Sequence, residues 1–546
     1  MITENSLKLE KGSKIIFETL KSLGVDTIIG YPGGIVLDFY NELYNQSDIK
    51  HILTRHEQSA VHAAEGYARE TGKCGVVLVT SGPGATNTVS GIANAYMDGY
   101  PLVVITGQVF KNLLGKNAFQ EANICDIVKS CTKKVYQITS PDQIQQVFNE
   151  AFTVANAGKK GPVVIDIVKD VFQTKVPYNE TQSKNIELPA QTHKEINISQ
   201  VITKILSAEK PIIVAGGGVK HSRAEDELLK FSEKYSIPVI STMMGIGTFP
   251  KNNRNNFGMI GIFGDKSANE LVKESDLIIS LGARFNDRIT CIFQDTNLSS
   301  KFIQIDINPA EISNFINATD FIIGDIKEVL TKLDAELDLN NCTFANWLEN
   351  AQEYRAKNVS KKRQTNMLHS FEVIQKLEDF TKGKEITFTT EVGQHQLWAI
   401  RNLDLYKNRK IFVSGGSGTM GFGFPAAIGS AIANPNRTVV CIAGDGSFQM
   451  GLHELATCKD YGLNIKIIIL NNGYLGMVRQ LQEKFCNSRY SETKISNPDY
   501  VTLAKSYGLN AERVMTIEDV DSALDRAFSQ NGTYLIDFAV EPMETL

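Results

Sequence analysis

The sequence predicts an α/β protein made of three doubly wound parallel-sheet domains. Its 546 residues exceed what a single hydrophobic core normally serves. Three segments alternate short β-rich apolar runs with helical stretches, a pattern typical of parallel sheets covered by helices. Two polar stretches, 177–197 and 353–365, separate the segments and resemble linkers. We therefore expect domains at residues 1–180, 195–345 and 365–546.

Each segment contains short, uniformly hydrophobic runs, which are typical of strands buried on both faces of a sheet. These runs are 74–79, 102–105 and 162–167 in the first segment, 276–281 and 302–307 in the second, and 386–391, 438–443 and 465–470 in the third. The second segment begins with Lys210-Pro-Ile-Ile-Val-Ala-Gly-Gly-Gly218, in which the glycine triplet directly follows a strand. Parallel strands end at the same edge of a sheet, where such sheets bind ligands. Residues that directly follow these runs are therefore the candidates for a site.

Composition excludes several classes of function. The net charge of −5 and the pI of about 6.0 do not favour a nucleic-acid or anionic-membrane surface. No apolar run reaches the roughly 18–20 residues of a membrane span, and the start has no signal-peptide pattern. The eight cysteines are scattered without a CxxC pair, which fits a reducing compartment better than disulfides or a zinc site. We expect a cytoplasmic protein that binds neither nucleic acid nor membrane.

The strongest motif pairs Gly444-Asp-Gly-Ser447 with Asn471-Asn472, each directly after a buried run. Glycines let the backbone approach a diphosphate, and Asp445 and Asn472 offer the oxygen ligands that Mg²⁺ prefers. Either half alone is a common turn sequence. Together, at this spacing, they resemble the diphosphate motif of enzymes that use thiamine diphosphate (ThDP).

A second motif is Arg55-His-Glu57-Gln at the start of a predicted helix. Most glutamates in such a place are simply solvated. ThDP chemistry supplies another role, because the cofactor becomes a nucleophile only when a carboxylic partner holds N1′ of its pyrimidine. Glu57 in the first domain is the candidate for that partner.

Further motifs, spread in order over nearly the whole chain, resemble the acetohydroxyacid (acetolactate) synthases. In the first segment they are 31–34 (Tyr-Pro-Gly-Gly), 55–58, 80–87 (Thr-Ser-Gly-Pro-Gly-Ala-Thr-Asn), 94–98 (Asn-Ala-Tyr-Met-Asp), 107–109, 117–121 and 169–170. In the third segment they are 391–396, 418–421, 444–450 and 471–478. The resemblance implies ThDP chemistry on pyruvate, in active sites built by two subunits of a homodimer or homotetramer.

Carried over position by position, the resemblance implies a set of site residues. Glu57 would pair with N1′, and Gly418 and Met420 would hold the pyrimidine. The remaining ThDP contacts would come from Gln394, His395, Gly444, Gly446, Ser447 and Met477. Mg²⁺ would be held by Asp445, Asn472 and the Tyr474 carbonyl. The substrate would be surrounded by Gly34, Phe119, Gln120 and Lys169, the lysine serving as a point charge for a carboxylate.

The second segment predicts a flavin site. Gly282-Ala-Arg-Phe-Asn-Asp-Arg288 follows a predicted strand and resembles the signature of the FAD-containing synthases, with Asn286 in place of an aspartate. Two arginines could neutralise the FAD pyrophosphate, although a structural salt-bridge cluster is the alternative. The glycine triplet 216–218 is weaker evidence for a dinucleotide. The expected FAD contacts are Gly216, Gly217, Gly218, Thr242, Arg284, Asn286, Arg288, Asp306 and Asp325.

Three positions depart from the family pattern. Phe110 replaces a proline, Leu481 replaces a tryptophan that shapes the acceptor pocket, and Phe263 replaces a histidine. Replacing tryptophan by leucine removes a large flat wall. We expect Phe110 and Leu481 to define an altered acceptor pocket. These departures resemble the carboligases that add an acetyl unit from pyruvate to a nucleotide-linked 4-keto sugar.

The function predicted from the sequence is a carboligase that decarboxylates pyruvate and transfers the two-carbon unit to a ketone. The acceptor is a second 2-keto acid, giving acetolactate, or alternatively a keto sugar. A pyruvate oxidase would use the same ThDP and FAD but would pass electrons to the flavin. An inactive regulatory homologue is disfavoured, because Glu57, Asp445 and Asn472 are all present.

Overall fold

A computed structural model describes residues 8–44, 46–178, 198–293, 302–337, 343–355 and 366–546. Within these residues lie three six-stranded sheets, each with all strands parallel, and one two-stranded antiparallel pair. The predicted α/β fold class is confirmed. The domain boundaries stay predictions, because most of both predicted linkers falls outside the described residues.

The first sheet contains most of the apolar runs of the N-terminal segment. The strands of this domain are β1 Lys8–Lys11, β2 Thr27–Gly30, β3 Lys50–Leu53, β4 Gly75–Val79, β5 Leu102–Gln108, β6 Lys134–Ile138, β7 Pro162–Val168 and β8 Lys175–Tyr178. Its helices are α1 Gly12–Ser22, α2 Leu37–Tyr44, α3 Glu57–Thr71, α4 Pro83–Thr86, α5 Val89–Asp98, α6 Ile124–Val128, α7 Ile144–Asn156 and α8 Lys169–Gln173. The sheet order is β3-β2-β4-β5-β7-β6, and β1 pairs with β8 beside it.

The middle sheet has the order β11-β10-β9-β12-β13-β14. Its strands are β9 Pro211–Ala215, β10 Val239–Ser241, β11 Asn256–Met259, β12 Leu277–Leu281, β13 Phe302–Asp306 and β14 Asp320–Ile323. The helices are α9 Ser199–Ser207, α10 Gly217–His221, α11 Glu225–Tyr235, α12 Lys266–Glu274, α13 Asp287–Thr290, α14 Ile326–Glu336 and α15 Ala345–Arg355. The chain winds outward from β9 and then returns to β12, so these neighbours mark the switch point of the sheet.

The third sheet has the order β16-β15-β17-β18-β20-β19. Its strands are β15 Ile386–Thr390, β16 Arg409–Phe412, β17 Thr438–Gly444, β18 Ile465–Asn471, β19 Asn510–Val514 and β20 Tyr534–Ala539. The helices are α16 Ser370–Thr381, α17 Gln394–Asn402, α18 Gly423–Ala433, α19 Asp445–Phe448, α20 Leu455–Asp460, α21 Gly476–Phe485, α22 Tyr500–Ser506 and α23 Val520–Ser529. Here the switch point lies between β15 and β17.

Alternate residues of the central strands enter different hydrophobic cores, as two-sided burial requires. In β4, Val76 and Leu78 belong to the core on one face of the first sheet, whereas Val77 and Val79 belong to the other. That second core also contains Ile465 of β18. The first and third domains therefore share one core.

Two glycines allow α3 and α18 to cross in direct backbone contact at this shared core. A Cβ added at Gly66 would lie 2.1 Å from the Ala426 carbonyl oxygen, and one at Gly429 would lie 1.8 Å from that of Ala63. Glu57 begins α3, and the loop that precedes α18 carries Met420. The crossing therefore fixes how these two predicted site elements are placed within one chain.

Candidate functional site

At the switch point of the middle sheet, two strand ends approach so closely that only glycine fits. A Cβ added at Gly216 would lie 2.1 Å from the Gly282 carbonyl oxygen, and one at Gly218 would lie 2.6 Å from the Gly282 Cα. The Gly216 N–H donates to the Leu281 carbonyl. The glycines leave the carboxyl edges of β9 and β12 open, the place where doubly wound sheets bind ligands.

A cavity of about 580 Å³ extends from this edge to the third domain. Its volume falls within the range of small-molecule and cofactor sites. The predicted residues that line it are Gly217, Gly218, Thr242, Arg284, Asn286, Arg288, Asp306, Asp325, Gly418, Met420 and Met477. Gly216 lies at the strand end beside it. The structure thus brings the predicted flavin residues together with three predicted ThDP residues.

The polar groups of the cavity suit a charged, elongated ligand. Asp306 ends β13, and burial raises the pKa of its carboxyl; its Oδ1 accepts the Asn308 N–H at 2.8 Å. Asp325 caps α14 by accepting the Lys327 N–H at 2.9 Å. The guanidinium of Arg284 lies on the opposite wall, beside Gly416. The donor set and the close-approach glycines fit a flavin dinucleotide.

Sequence reasoning missed two lysines of this cavity. Lys159 and Lys160 both line its wall, and the Lys159 Nζ lies 3.1 Å from Glu311 Oε1. The only signal in the sequence was a Lys-Lys pair shortly before the buried strand β7, and such pairs are usually surface charges.

At the switch point of the third sheet, two buried side chains present polar atoms to an open space. His395 and Gln394 begin α17, and both are buried. Neither His395 Nε2 nor Gln394 Oε1 has a hydrogen-bond partner among the described residues. Burial lowers the pKa of His395 to about 4, so its ring is neutral at pH 7. Buried polar atoms without partners call for an explanation. The His395 Nε2, in the tautomer that carries its proton there, could donate to a diphosphate oxygen, whereas Gln394 Oε1 could only accept and would suit a water molecule on a bound cation.

The predicted metal ligands lie where β17 and β18 end. Asp445 Oδ2 accepts the Gly473 N–H at 2.8 Å, so the two loops are joined directly. Asn472 Oδ1 accepts the Tyr474 N–H at 3.0 Å. A Cβ added at Gly476 would lie 2.7 Å from Asn472 Nδ2 and 2.2 Å from Gln394 Oε1, which places these side chains at one point.

The neighbouring glycine motif leaves room beside this point. A Cβ added at Gly444 would lie 2.9 Å from His395 Nδ1, and one at Gly446 would lie 2.7 Å from Leu475 Cδ2. Ser447 Oγ donates to the Gly444 carbonyl at 3.2 Å. Among the described residues, no group of three or more His, Cys, Asp or Glu side chains is arranged to hold a metal ion. The Asp445 carboxylate and the Asn472 amide oxygen are of the ligand type that Mg²⁺ takes beside a diphosphate.

A buried glutamate that the sequence reasoning left without a role organises the next turn. Glu391 follows β15 and accepts the N–H groups of Gly421 at 2.6 Å and Phe424 at 3.0 Å. Burial raises the pKa of this carboxyl to about 7. Its hydrogen bonds hold the turn between Met420 and α18.

The C-terminal residues also support the site, and no local sequence pattern indicated them. Gln394 Nε2 donates to the Glu544 carbonyl at 2.9 Å and to Gln480 Oε1 at 2.7 Å. The same carbonyl accepts a hydrogen bond from Arg479, which is fully buried in α21. These contacts orient Gln394 and anchor α21, which carries Met477.

The predicted residues of the first domain lie elsewhere on the single chain. Glu57 is half-buried at the start of α3, and its Oε2 accepts a hydrogen bond from Asn87 Nδ2 at 2.9 Å. Gly34 and Gln120 are exposed, and Phe119 is 89% exposed. None of these residues lines the cavity. The cavity therefore brings together the predicted flavin residues and part of the predicted ThDP set, without these residues of the first domain.

The positions that depart from the family pattern lie in three places. The Lys169 Nζ stands 5.1 Å from the centroid of the Phe110 ring, so these two residues are neighbours in the first domain. Leu481 is half-buried on α21 of the third domain. Phe263 lines the cavity at the switch point of the middle sheet, where a flavin is predicted. The assignment of Phe110 and Leu481 to an acceptor pocket stays a prediction.

Comparison with known proteins agrees with the geometry. Three domain models of thiamine pyrophosphate enzymes match, the N-terminal TPP-binding domain over residues 10–128, the central domain over 198–333 and the C-terminal TPP-binding domain over 391–538. The probable acetolactate synthase large subunit of Methanocaldococcus jannaschii is 41% identical over 98% of this chain and 93% of its own length. The acetolactate synthase large subunit of Haemophilus influenzae is 38% identical over 98% of this chain and 96% of its own length. The chain belongs to the acetolactate synthase family.

Membership explains why the three sheets carry different parts of the site. The two TPP-binding models cover the sheets that carry Glu57 and Asp445, and the central model covers the cavity with Arg284. This family member is accordingly a ThDP-dependent enzyme. None of its described helices has the length and apolar character required to cross a bilayer.

Proposed function

We propose that this protein is an acetolactate synthase: it decarboxylates pyruvate and transfers the two-carbon unit to a second 2-keto acid. The observation that carries the proposal is the pair of buried, unpartnered atoms His395 Nε2 and Gln394 Oε1, which lie beside Asp445 at a sheet switch point. Relatives named acetolactate synthase large subunits, similar over nearly the full chain, supply the reaction class.

Three cofactors fit the residues present. ThDP would be held by Gln394, His395 and the 418–420 turn, with Mg²⁺ on Asp445, Asn472 and the Tyr474 carbonyl. FAD would occupy the cavity at the middle switch point. When bound, ThDP supplies a carbon nucleophile and an electron sink. The chain's own contribution is to fix the cofactor ring through Glu57 and to place a positive charge, Lys169, near the substrate carboxylate.

The active site requires a second copy of the chain. Support comes from the exposure of Gly34, Phe119 and Gln120, predicted substrate residues that a single chain leaves open to water. Symmetric dimers would bring Glu57 of one chain to Asp445 of the other.

Mixing two inactive variants tests this arrangement. Glu57→Gln removes the catalytic carboxylate that a chain gives to one site. Asp445→Asn removes the metal ligand that a chain gives to the other site. In a randomly exchanged mixture about half the dimers are mixed, and each mixed dimer has one intact site. Activity should therefore recover to about a quarter of the wild-type value. No recovery, with exchange verified by mass spectrometry, would show that each site belongs to a single chain.

A second acceptor is favoured by Phe110 and Leu481. A phenyl ring 5.1 Å from the Lys169 ammonium and a leucine in place of tryptophan change the walls of the predicted pocket. The alternative acceptor is a nucleotide-linked 4-keto sugar. Mass spectrometry of the products from pyruvate alone, with 2-ketobutyrate and with such a sugar distinguishes these acceptors.

Flavin absorbance, measured together with product formation, separates a carboligase from an oxidase. Anaerobic addition of pyruvate should leave the flavin absorbance unchanged, because carboligation does not require the flavin to cycle. Flavin bleaching together with the absence of acetolactate would contradict the proposed function.

A further inference from the structure

A buried charged cluster joins the first domain to the third, outside the residues assigned to either cofactor. The Arg69 guanidinium on α3 donates to Glu65 and to Asp98 Oδ2, the latter at 2.6 Å. The three side chains are at most 2% exposed. The guanidinium also donates to the carbonyl of Val413 in the third domain, at 3.0 Å. A buried charged group is expensive unless it is fully paired, so this geometry is well determined.

The same cluster holds the loop of residues 414–420, here called the pyrimidine loop because it carries Gly418 and Met420. Asp98 Oδ1 accepts the Gly416 N–H at 2.7 Å. Asn94 Oδ1 accepts the Ser414 hydroxyl at 2.5 Å. The pyrimidine loop is thus fixed by side chains of α5, more than 300 positions away in the chain.

Asp98 faces the flavin cavity as well. Asp98, Ser414, Gly418 and Met420 all line that cavity. A Cβ added at Gly416 would lie 2.9 Å from Asp98 Oδ1 and 3.0 Å from Arg284 Nη2. A single carboxylate is therefore bonded to the pyrimidine loop at the wall of the cavity where the flavin is predicted, and the loop itself forms part of that wall.

We propose that Asp98 is a positioning residue that holds the pyrimidine loop in its ThDP-binding conformation, and that flavin in the adjoining cavity stabilises the same conformation. This inference rests on the proposed function and adds a coupling between the two cofactors. Hydrogen bonds to a buried carboxylate are stronger than those to neutral acceptors. If both cofactors favour one loop conformation, each must raise the affinity for the other by the same factor.

The test measures ThDP binding directly, by calorimetry at saturating Mg²⁺, on flavin-loaded and flavin-stripped protein. Asp98 Oδ2 accepts hydrogen bonds from Arg69 and, at 3.3 Å, from the Gly415 N–H. In Asp98→Asn, an amide NH₂ group in that place would face two donors and could accept neither hydrogen bond. We expect ThDP affinity to fall by about tenfold. Wild-type affinity should be at least about fivefold higher with flavin than without it, and this difference should vanish in the variant.

Turnover supplies a readout that a general loss of structure would not give. At saturating ThDP, kcat of Asp98→Asn should stay within about twofold of wild type while the ThDP requirement rises, because the loop is restored once the cofactor binds. The matched control is Asp48→Asn, which removes an exposed ion pair with Lys21 on the same domain and should change neither quantity.

Ser414→Ala provides a second variant should Asp98→Asn fail to fold. It removes one of the two hydroxyl hydrogen bonds that the loop makes to Asn94 Oδ1, leaving that of Thr419, and it removes the acceptor of the Thr419 N–H. The Arg69 charge stays paired, and the variant should also weaken ThDP binding and reduce the flavin effect. Equal ThDP affinities in wild type and both variants would overturn this inference alone. A wild-type protein that does not bind ThDP would overturn both this inference and the proposed function.

Discussion

Alanine at Gly429 would force apart the helix crossing that the first and third domains share. Its Cβ would lie 1.8 Å from the Ala63 carbonyl oxygen and 2.7 Å from the attached carbon. Non-bonded heavy atoms prefer separations of about 3.5 Å, so α18 must move by more than about 1 Å. The obstacle is backbone, so no side-chain rotation relieves the contact.

The expected cost follows from two opposing terms. Overpacking a well-packed core costs up to about 3 kcal/mol, and alanine in place of a helical glycine returns about 1 kcal/mol. The net loss is about 2 kcal/mol. The entropy of unfolding is roughly 2.1 cal/mol/K per residue, and the two domains hold about 350 residues. A loss of about 2 kcal/mol therefore lowers Tm by about 3 °C.

Calorimetry at fixed cofactor concentrations measures this Tm. Adding Ala63→Gly to Gly429→Ala should not restore Tm, because the clash is with a backbone oxygen that glycine retains. Comparison of Asp525→Ala with Asp525→Gly, at an exposed position inside α23 of the third domain, measures the intrinsic difference between alanine and glycine alone, about 1 kcal/mol. An unchanged or higher Tm in Gly429→Ala would refute the backbone-contact argument.

Four other outcomes are expected. Glu57→Gln should slow exchange of the ThDP C2 proton by orders of magnitude in NMR, whereas unchanged exchange would refute the N1′ role. Arg284→Ala should lose its yellow flavin on gel filtration, since a pyrophosphate charge goes unpaired; retention would favour a structural role. Leu481→Trp should shift mixed-acceptor products toward 2-ketobutyrate by roughly 10-fold or more, and a collapse of CO₂ release at a fixed product ratio would place Leu481 in the donor step. Burial raises the pKa of Glu391 to about 7. The stabilising contribution of its protonated carboxyl is therefore complete below about pH 4.5 and is lost as the pH rises through 7. The Tm difference between wild type and Glu391→Gln should fall from pH 5 to pH 8, and a constant difference would contradict this assignment.

The buried central strands could be predicted because they are uniformly apolar. The predicted run 74–79 forms β4 at Gly75–Val79, and 438–443 forms β17 at Thr438–Gly444. Edge strands were not predicted, since an edge strand has one polar side and carries no continuous apolar signal. In β6, for example, Lys134 and Gln137 are exposed, Val135 and Tyr136 between them are half-buried, and only Ile138 is buried.

The candidate site divides in the same way. Motifs next to strand ends, such as those with Asp445 and Arg284, could be located because topology carries strand ends to one edge. The support from Glu544 and Asp98 could not, because each depends on contacts between residues far apart in sequence. Such contacts leave no local periodicity, and a lone aspartate or glutamate is most often solvated.

The shared core of the first and third domains has a consequence for how the chain unfolds. One hydrophobic core of the middle domain is built only from residues between 198 and 351, whereas another core draws on both outer domains. The core centred on the third domain takes one buried residue, Met259, from the middle domain. Because segments that share most of a buried core should open together, the three sheets should give two foldons among the described residues. Hydrogen exchange should show the outer domains opening together while the middle domain opens at its own free energy.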